Sequence, residues 1–165
     1  MNIVLIGMPG AGKSTVGVLL AKTLGQPFVD TDLIIQEKEK KKLHEIINQY
    51  GIKQFLSIEE KHVLNLDVTN HVIATGGSVI YSSKAIAKLK KNSILIYLQV
   101  ELEEIERRLK DITTRGIAME DGISLKDLYM ERENLYVKAA DLIIDCSSKT
   151  MEEVVAEIAN EISRQ

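Results

Sequence analysis

Gly7, Gly12, Lys13 and Ser14 fill the spacing G-x-x-x-x-G-K-S within the segment GMPGAGKS, close to the start of this 165-residue chain. Each residue type has a physical task there. Gly7, Gly10 and Gly12 let the backbone curl so that successive N–H groups point inward at phosphate oxygens. Lys13 supplies a cation to the β- and γ-phosphates, and the Ser14 hydroxyl is placed to coordinate magnesium. A helix starting near Gly12 adds its positive end to the same anion. The eight-residue pattern also occurs by chance, but here an apolar strand-like run precedes it and a helical pattern follows. Gly10, Ala11, Gly12, Lys13, Ser14 and Thr15 are therefore expected to bind nucleotide, with ATP and Mg2+ as the cofactors.

A second group of residues offers acceptor chemistry. Asp30 and Asp32 stand two apart at the end of a strand-like run, a spacing that directs both carboxylates towards the point where α/β sheets bind ligands. A plain helix N-cap by Asp32 is the alternative, and it does not exclude the other role. No guanine-reading N-K-x-D motif is present, which argues against a GTPase, and the chain is short for a molecular motor. The pattern points to a small metabolite or nucleotide kinase.

These residues need a scaffold. Strand-like apolar runs fall at Ile3–Ile6, Pro27–Val29, His71–Ala74, Ser93–Leu98 and Asp141–Asp145. Helical spacing appears at Lys13–Leu24, Ile52–Leu66, Ser83–Lys90, Leu102–Lys110, Leu125–Ala139 and Met151–Ile162. Short strands alternating with helices predict a three-layer α/β sandwich with a five-stranded parallel sheet covered on both faces. The whole chain reads as one domain. Residues 31–50, rich in Lys and Glu, predict one or two short exposed helices; residues 31–66 form the acceptor-binding helical region. Residues 111–124 (DITTRGIAMEDGIS) carry two glycines and no periodicity, as a lid or a simple connection between helices would.

Composition narrows the setting. Apolar residues make up 45% and charged residues 27%, with a net charge of −3. That balance fits a globular protein and speaks against a nucleic-acid partner. Cys146 is the sole cysteine, so no intrachain disulfide can form, and a cytoplasmic monomer without a membrane partner is expected. His44, His62 and His71 lack ligand-like spacing. The Lys38–Lys42 segment, offset by Glu37, Glu39 and Glu45, reads as a solvated helix surface.

From the phosphate loop onward the chain resembles the shikimate kinases over essentially its full length. The resemblance is carried by GMPGAGKSTVG, by Asp30-Thr31-Asp32, by Gly51–Glu60 (GIKQFLSIEE), by Ala74–Val79 (ATGGSV) and by Arg132–Asp141 (RENLYVKAAD). It implies the phosphate-loop, nucleoside-monophosphate-kinase-like fold and ATP-dependent phosphorylation of shikimate to shikimate 3-phosphate. Residue by residue, it implies Asp30 beside the magnesium and Asp32 on the acceptor hydroxyls, as base or as orienting group. It further implies Gly76 and Gly77 at the acceptor turn and Arg132 on the acceptor carboxylate. Arg115 would be the lid arginine over the transferred phosphoryl group. Arg108 would stack on adenine, with an exposed helical arginine as the bland alternative; Cys146 would lie near the adenine edge. Glu59 would orient a pocket residue.

Three positions depart from the family's pattern: Asn134 stands for its proline, Leu56 for an arginine that clamps the acceptor carboxylate, and Ser78 for the third glycine of the acceptor turn. A lost charge-assisted hydrogen bond is worth about 1.5–3 kcal/mol, roughly a tenfold to hundredfold change in affinity. Two other readings therefore stand beside shikimate. One is the same reaction on a different small alcohol or nucleoside monophosphate. The other is a nucleotide-binding module without catalysis, against which Lys13, Asp32 and Arg115 speak.

Overall fold

The computed structural model describes residues 1–110 and 117–164. Its sheet has five parallel strands: β1 (Asn2–Ile6), β2 (Phe28–Asp30), β3 (Val72–Ala74), β4 (Ser93–Gln99) and β5 (Leu142–Asp145). They lie in the order β2-β3-β1-β4-β5. The chain leaves β1 towards β2 on one side and returns from β3 to β4 on the other. Their carboxyl ends form the crevice at which such sheets bind ligands.

Alternation along the strands builds the two outer layers. Ile3 and Leu5 of β1, with Ile94, Ile96 and Leu98 of β4, face one side. There they meet Val16 and Leu20 of α1 (Lys13–Leu24) and Val154 and Ile158 of α7 (Met151–Ser163). Val4 and Ile6, with Leu95 and Tyr97, face the other side. That face is covered by α3 (Leu43–Leu64), α4 (Ser83–Lys90), α5 (Leu102–Lys110) and α6 (Leu125–Ala139). The period of two in a strand sends successive side chains into different layers, which is why these strands read as unbroken apolar runs.

The helical region after β2 follows the expected division. α2 (Thr31–Glu39) is succeeded by α3, which Gly51 splits: its φ of 79° and ψ of 169° are not helical, so one short helix precedes it and a second begins at Ile52. A side chain at that position would strain the backbone. The region is not merely exposed, however. Ile35, Ile46 and Phe55 are buried together with Ala118 in a small core of their own. Their apolar spacing is diluted by the surrounding Lys and Glu, so the sequence alone reads as surface. No helix among the described residues is long and apolar enough to cross a membrane.

Candidate active site

The loop between β1 and α1 closes around Lys13. Gly10 and Gly12 take φ values of 82° and 91°, the left-handed region that glycine enters without cost. Lys13 is 7% exposed, and its ammonium donates to the carbonyls of Gly7 (2.7 Å) and Met8 (2.8 Å). Gly12 stands at the N-cap of α1, and among the described residues no side chain caps it. The loop therefore combines a fixed cation with a helix N-terminus, the two elements of an anion site.

Asp30 ends β2 and sits beside this loop. Its Oδ2 accepts from Ser14 Oγ over 2.6 Å, and its Oδ1 accepts from the backbone N–H groups of Asp32 (2.9 Å) and Leu33 (3.4 Å). Asp30, not Asp32, thus caps α2, because Asp30 retains extended backbone angles (φ −114°, ψ 116°) while Asp32 already lies in the first helical turn. Ser14 Oγ and Asp30 Oδ2 are hard oxygen donors at the mouth of the phosphate loop. That is the donor set magnesium takes when phosphates and water complete its shell. Among the described residues no cluster of three or more His, Cys, Asp and Glu could hold a metal by itself.

A cleft runs from this loop to the start of the turn after β3. Gly10, Gly12, Lys13, Ser14 and Thr15 line one end; Asp32, Gly76, Gly77 and Arg132 line the other. The sequence-predicted residues from four distant segments are therefore gathered in one place. Ala11 belongs to the same loop, and its methyl group is buried in the core, 3% exposed. Arg108 lies outside the loop: its Nη1 donates to the Gly10 carbonyl over 3.0 Å and its Nε to Glu104. Its neighbour Arg107 is the exposed member of the pair. Both arginines donate to Glu104, which they hold at a pKa of about 2. Arg115 lies outside the described residues, as do residues 111–116 of the expected lid; residues 117–124 are irregular chain leading into α6.

The acceptor end is built by close packing. Gly76 and Gly77 have no room for side chains. A Cβ on Gly76 would stand 2.6 Å from Glu59 Oε2 and 2.7 Å from Asp32 Oδ1. One on Gly77 would stand 2.8 Å from Pro9 and 2.9 Å from Arg132 Nη1. The turn is pinned by Thr75, whose hydroxyl donates to Leu5 O over 2.9 Å, and by Tyr136, whose hydroxyl donates to Gly77 O over 2.6 Å. Burial pushes the Tyr136 phenol well above its ordinary pKa, so it stays a donor. Arg132 is fully buried. Its guanidinium lies over the Tyr81 ring at 5.1 Å, its Nε donates to Tyr81 Oη (3.2 Å) and its Nη2 to Ala118 O (2.5 Å).

The two unusual positions have clear places. Ser78 is 5% exposed and donates to Glu59 Oε1 over 2.7 Å. Leu56 borders two side cavities, one shared with Lys53, Glu59, Ser78 and Tyr81 and the other with Ala118, Met119 and Leu128. Glu59 is pushed up to a pKa of about 7, chiefly by burial and further by Asp32, against the Ser78 hydrogen bond, Arg132 and Lys13. Sequence reasoning gave Tyr81, Tyr136 and Ala118 no task. Tyr136 falls within the RENLYVKAAD segment, but nothing local reveals which carbonyl its hydroxyl reaches. Cys146 is half-buried, and burial raises its thiol to about 11, which leaves it unreactive. His62 pairs with Glu39 at 2.7 Å, and His71 Nδ1 lies 2.8 Å from the Thr69 carbonyl.

Comparison with known proteins places this geometry. The family model described as shikimate kinase matches residues 9–163. A shikimate kinase of Caldanaerobacter subterraneus subsp. tengcongensis is 39% identical over 160 residues, covering 95% of this chain and 93% of that one. The solved shikimate kinase of Acinetobacter baumannii in complex with shikimate superposes with a TM-score of 0.91 at 30% identity, over 99% of this chain and 93% of that one. That of Aquifex aeolicus superposes with a TM-score of 0.84 at 32% identity, over 99% and 96%.

Proposed function

Because this chain belongs to the shikimate kinase family, we propose that it transfers the γ-phosphoryl group of ATP to a hydroxyl of shikimate, giving shikimate 3-phosphate. The observation that carries this reading is the single cleft in which the phosphate loop faces Asp32, the Gly76–Gly77 turn and buried Arg132.

The loop holds the triphosphate through its N–H groups, with Lys13 neutralising charge on the β- and γ-phosphates. Ser14 and Asp30 would hold magnesium, which when bound would supply positive charge to the phosphates. Asp32 accepts a hydrogen bond from the attacking hydroxyl and orients it in line with the phosphorus. Arg132 attracts the acceptor carboxylate. Arg115 neutralises the charge that grows on the transferred group, and Arg108 packs against the adenine. Gly76 and Gly77 let the acceptor approach the backbone closely. Transfer needs no covalent intermediate with the protein; positioning and electrostatics carry it.

A coupled assay of ADP release with shikimate as acceptor tests the reading. Turnover saturating in shikimate is expected, and no release above the acceptor-free background at millimolar shikimate overturns it. One observation favours a second reading, in which the same transfer serves a different small alcohol. Leu56 supplies no cation beside Glu59, so the acceptor end has Arg132 as the carboxylate-binding cation among its described lining residues. A metabolite panel with mass spectrometry of the phosphorylated product separates the two.

A further inference from the structure

Behind the Gly76–Gly77 turn lies a carboxyl to which the transfer scheme gives no task. Glu59 is 2% exposed. Its Oε1 accepts from Ser78, whereas its Oε2 is buried with no hydrogen-bond partner among the described residues. Glu59 Oε2 and Asp32 Oδ1 both approach Gly76, each within 2.7 Å of the point where a Cβ would stand. A buried carboxylate oxygen without a donor is costly, and a second carboxylate close by adds repulsion. The same group with a proton fits its surroundings: a carbonyl oxygen suits the Ser78 donor, and a hydroxyl suits the side on which Asp32 lies. Leu56 brings no charge to the cavity it shares with Glu59.

We infer that Glu59 is a positioning residue that carries a proton in the working protein, accepting from Ser78 at Oε1 and presenting an O–H to the Asp32 side of Gly76. Asp32 then keeps its negative charge for the acceptor hydroxyl, and repulsion between two neighbouring carboxylates beside Gly76 is removed. Burial and Asp32 from α2 favour the proton; Ser78, Arg132 of α6 and Lys13 of α1 oppose it, giving a midpoint of about 7. Tyr136 of α6 faces the same group, and Lys53 and Glu60 border its cavity along α3.

The proton is tested on the full chain without any acceptor, by carboxyl ¹³C NMR titration. A resonance titrating near 7 is expected, absent from Glu59→Gln. Asp32→Asn should lower that midpoint and Ser78→Ala should raise it. Titration of Glu59 in the ordinary carboxylate range, or a midpoint indifferent to Asp32→Asn, overturns the inference. The positioning role rests on the shikimate reading and is tested by acceptor KM against pH. Wild-type KM should rise several-fold as pH passes through about 7; Glu59→Gln should stay near the low-pH value, and Glu59→Ala should be poor throughout. A Gln variant that keeps the wild-type slope, or is no better than Ala, rejects the role. Absence of any shikimate turnover would instead reject the function reading, while the titration still decides the proton.

Discussion

The hydroxyl of Ser14 donates to the carboxylate of Asp30 over 2.6 Å, tying the first turn of α1 to the end of β2. The other oxygen of the same carboxylate caps α2. Asp30 therefore serves two ends at once, and the two can be separated. Asparagine is as good a cap as aspartate, whereas alanine costs about 1 kcal/mol. Asp30→Asn should keep the wild-type melting temperature yet need more magnesium for half-maximal activity. Asp30→Ala should lose both. Thermal melts beside magnesium titrations of the activity check this.

Gly76 has ordinary backbone angles (φ −67°, ψ 154°), so alanine strains nothing locally. Its methyl group would instead press on Glu59 Oε2 and Asp32 Oδ1. Displacement of a positioned group by around an ångström can cost on the order of a hundredfold in rate. Gly76→Ala should lower kcat/KM for the acceptor by about that factor, with KM for ATP little changed. Equal losses on both substrates would show that the methyl disturbs more than the acceptor wall.

Leu56 and Glu59 border one cavity. An arginine at position 56 would bring a guanidinium beside a buried carboxyl, one oxygen of which has no hydrogen-bond partner among the described residues. Leu56→Arg should tighten shikimate binding by about tenfold. Loss of activity on another acceptor, with no gain on shikimate, would favour the alternative substrate. Acceptor KM values on both proteins decide it.

Arg107 and Arg108 are neighbours in sequence with different tasks in space. Arg108 reaches the Gly10 carbonyl, while Arg107 reaches outward to Glu104. Arg108→Ala should raise KM for ATP about threefold to thirtyfold, the range of a cation stacked on an aromatic ring. Arg107→Ala should leave it unchanged. Steady-state kinetics on the two variants tests the assignment.

Glu59 also bears on stability. Its pKa rises from 4.5 to about 7 on folding, so the folded chain holds this proton more tightly than the unfolded one. The contribution is fully present below about 4.5 and is lost as pH rises through about 7. The melting temperature of wild type relative to Glu59→Gln should fall across that window and level off above it. A constant difference would contradict the raised pKa.

The phosphate loop was legible because all its parts lie within eight consecutive residues. A local curl needs only local glycines, and the strand and helix on either side announce themselves by period. The parallel sheet was legible for a similar reason: Ile94–Leu98 is apolar at every position, which only a strand covered on both faces allows. The break at Gly51 was legible too, because a glycine in a left-handed conformation interrupts the helical pattern locally. The burial of Ile35 and Ile46 was not legible, since the Lys and Glu around them read as surface.

The sequence by itself determined the phosphate-loop end of this protein, since the loop glycines, Lys13 and Ser14 lie within one short stretch of chain. Tertiary structure decided the acceptor end. Tyr136 lies 59 residues from the Gly77 carbonyl it holds, Ser78 lies 19 from Glu59, and Arg132 lies 51 from Tyr81. Whether Glu59 is a surface carboxylate or a buried acid depends on which segments close over it. That depends on packing between distant elements, which local spacing does not encode.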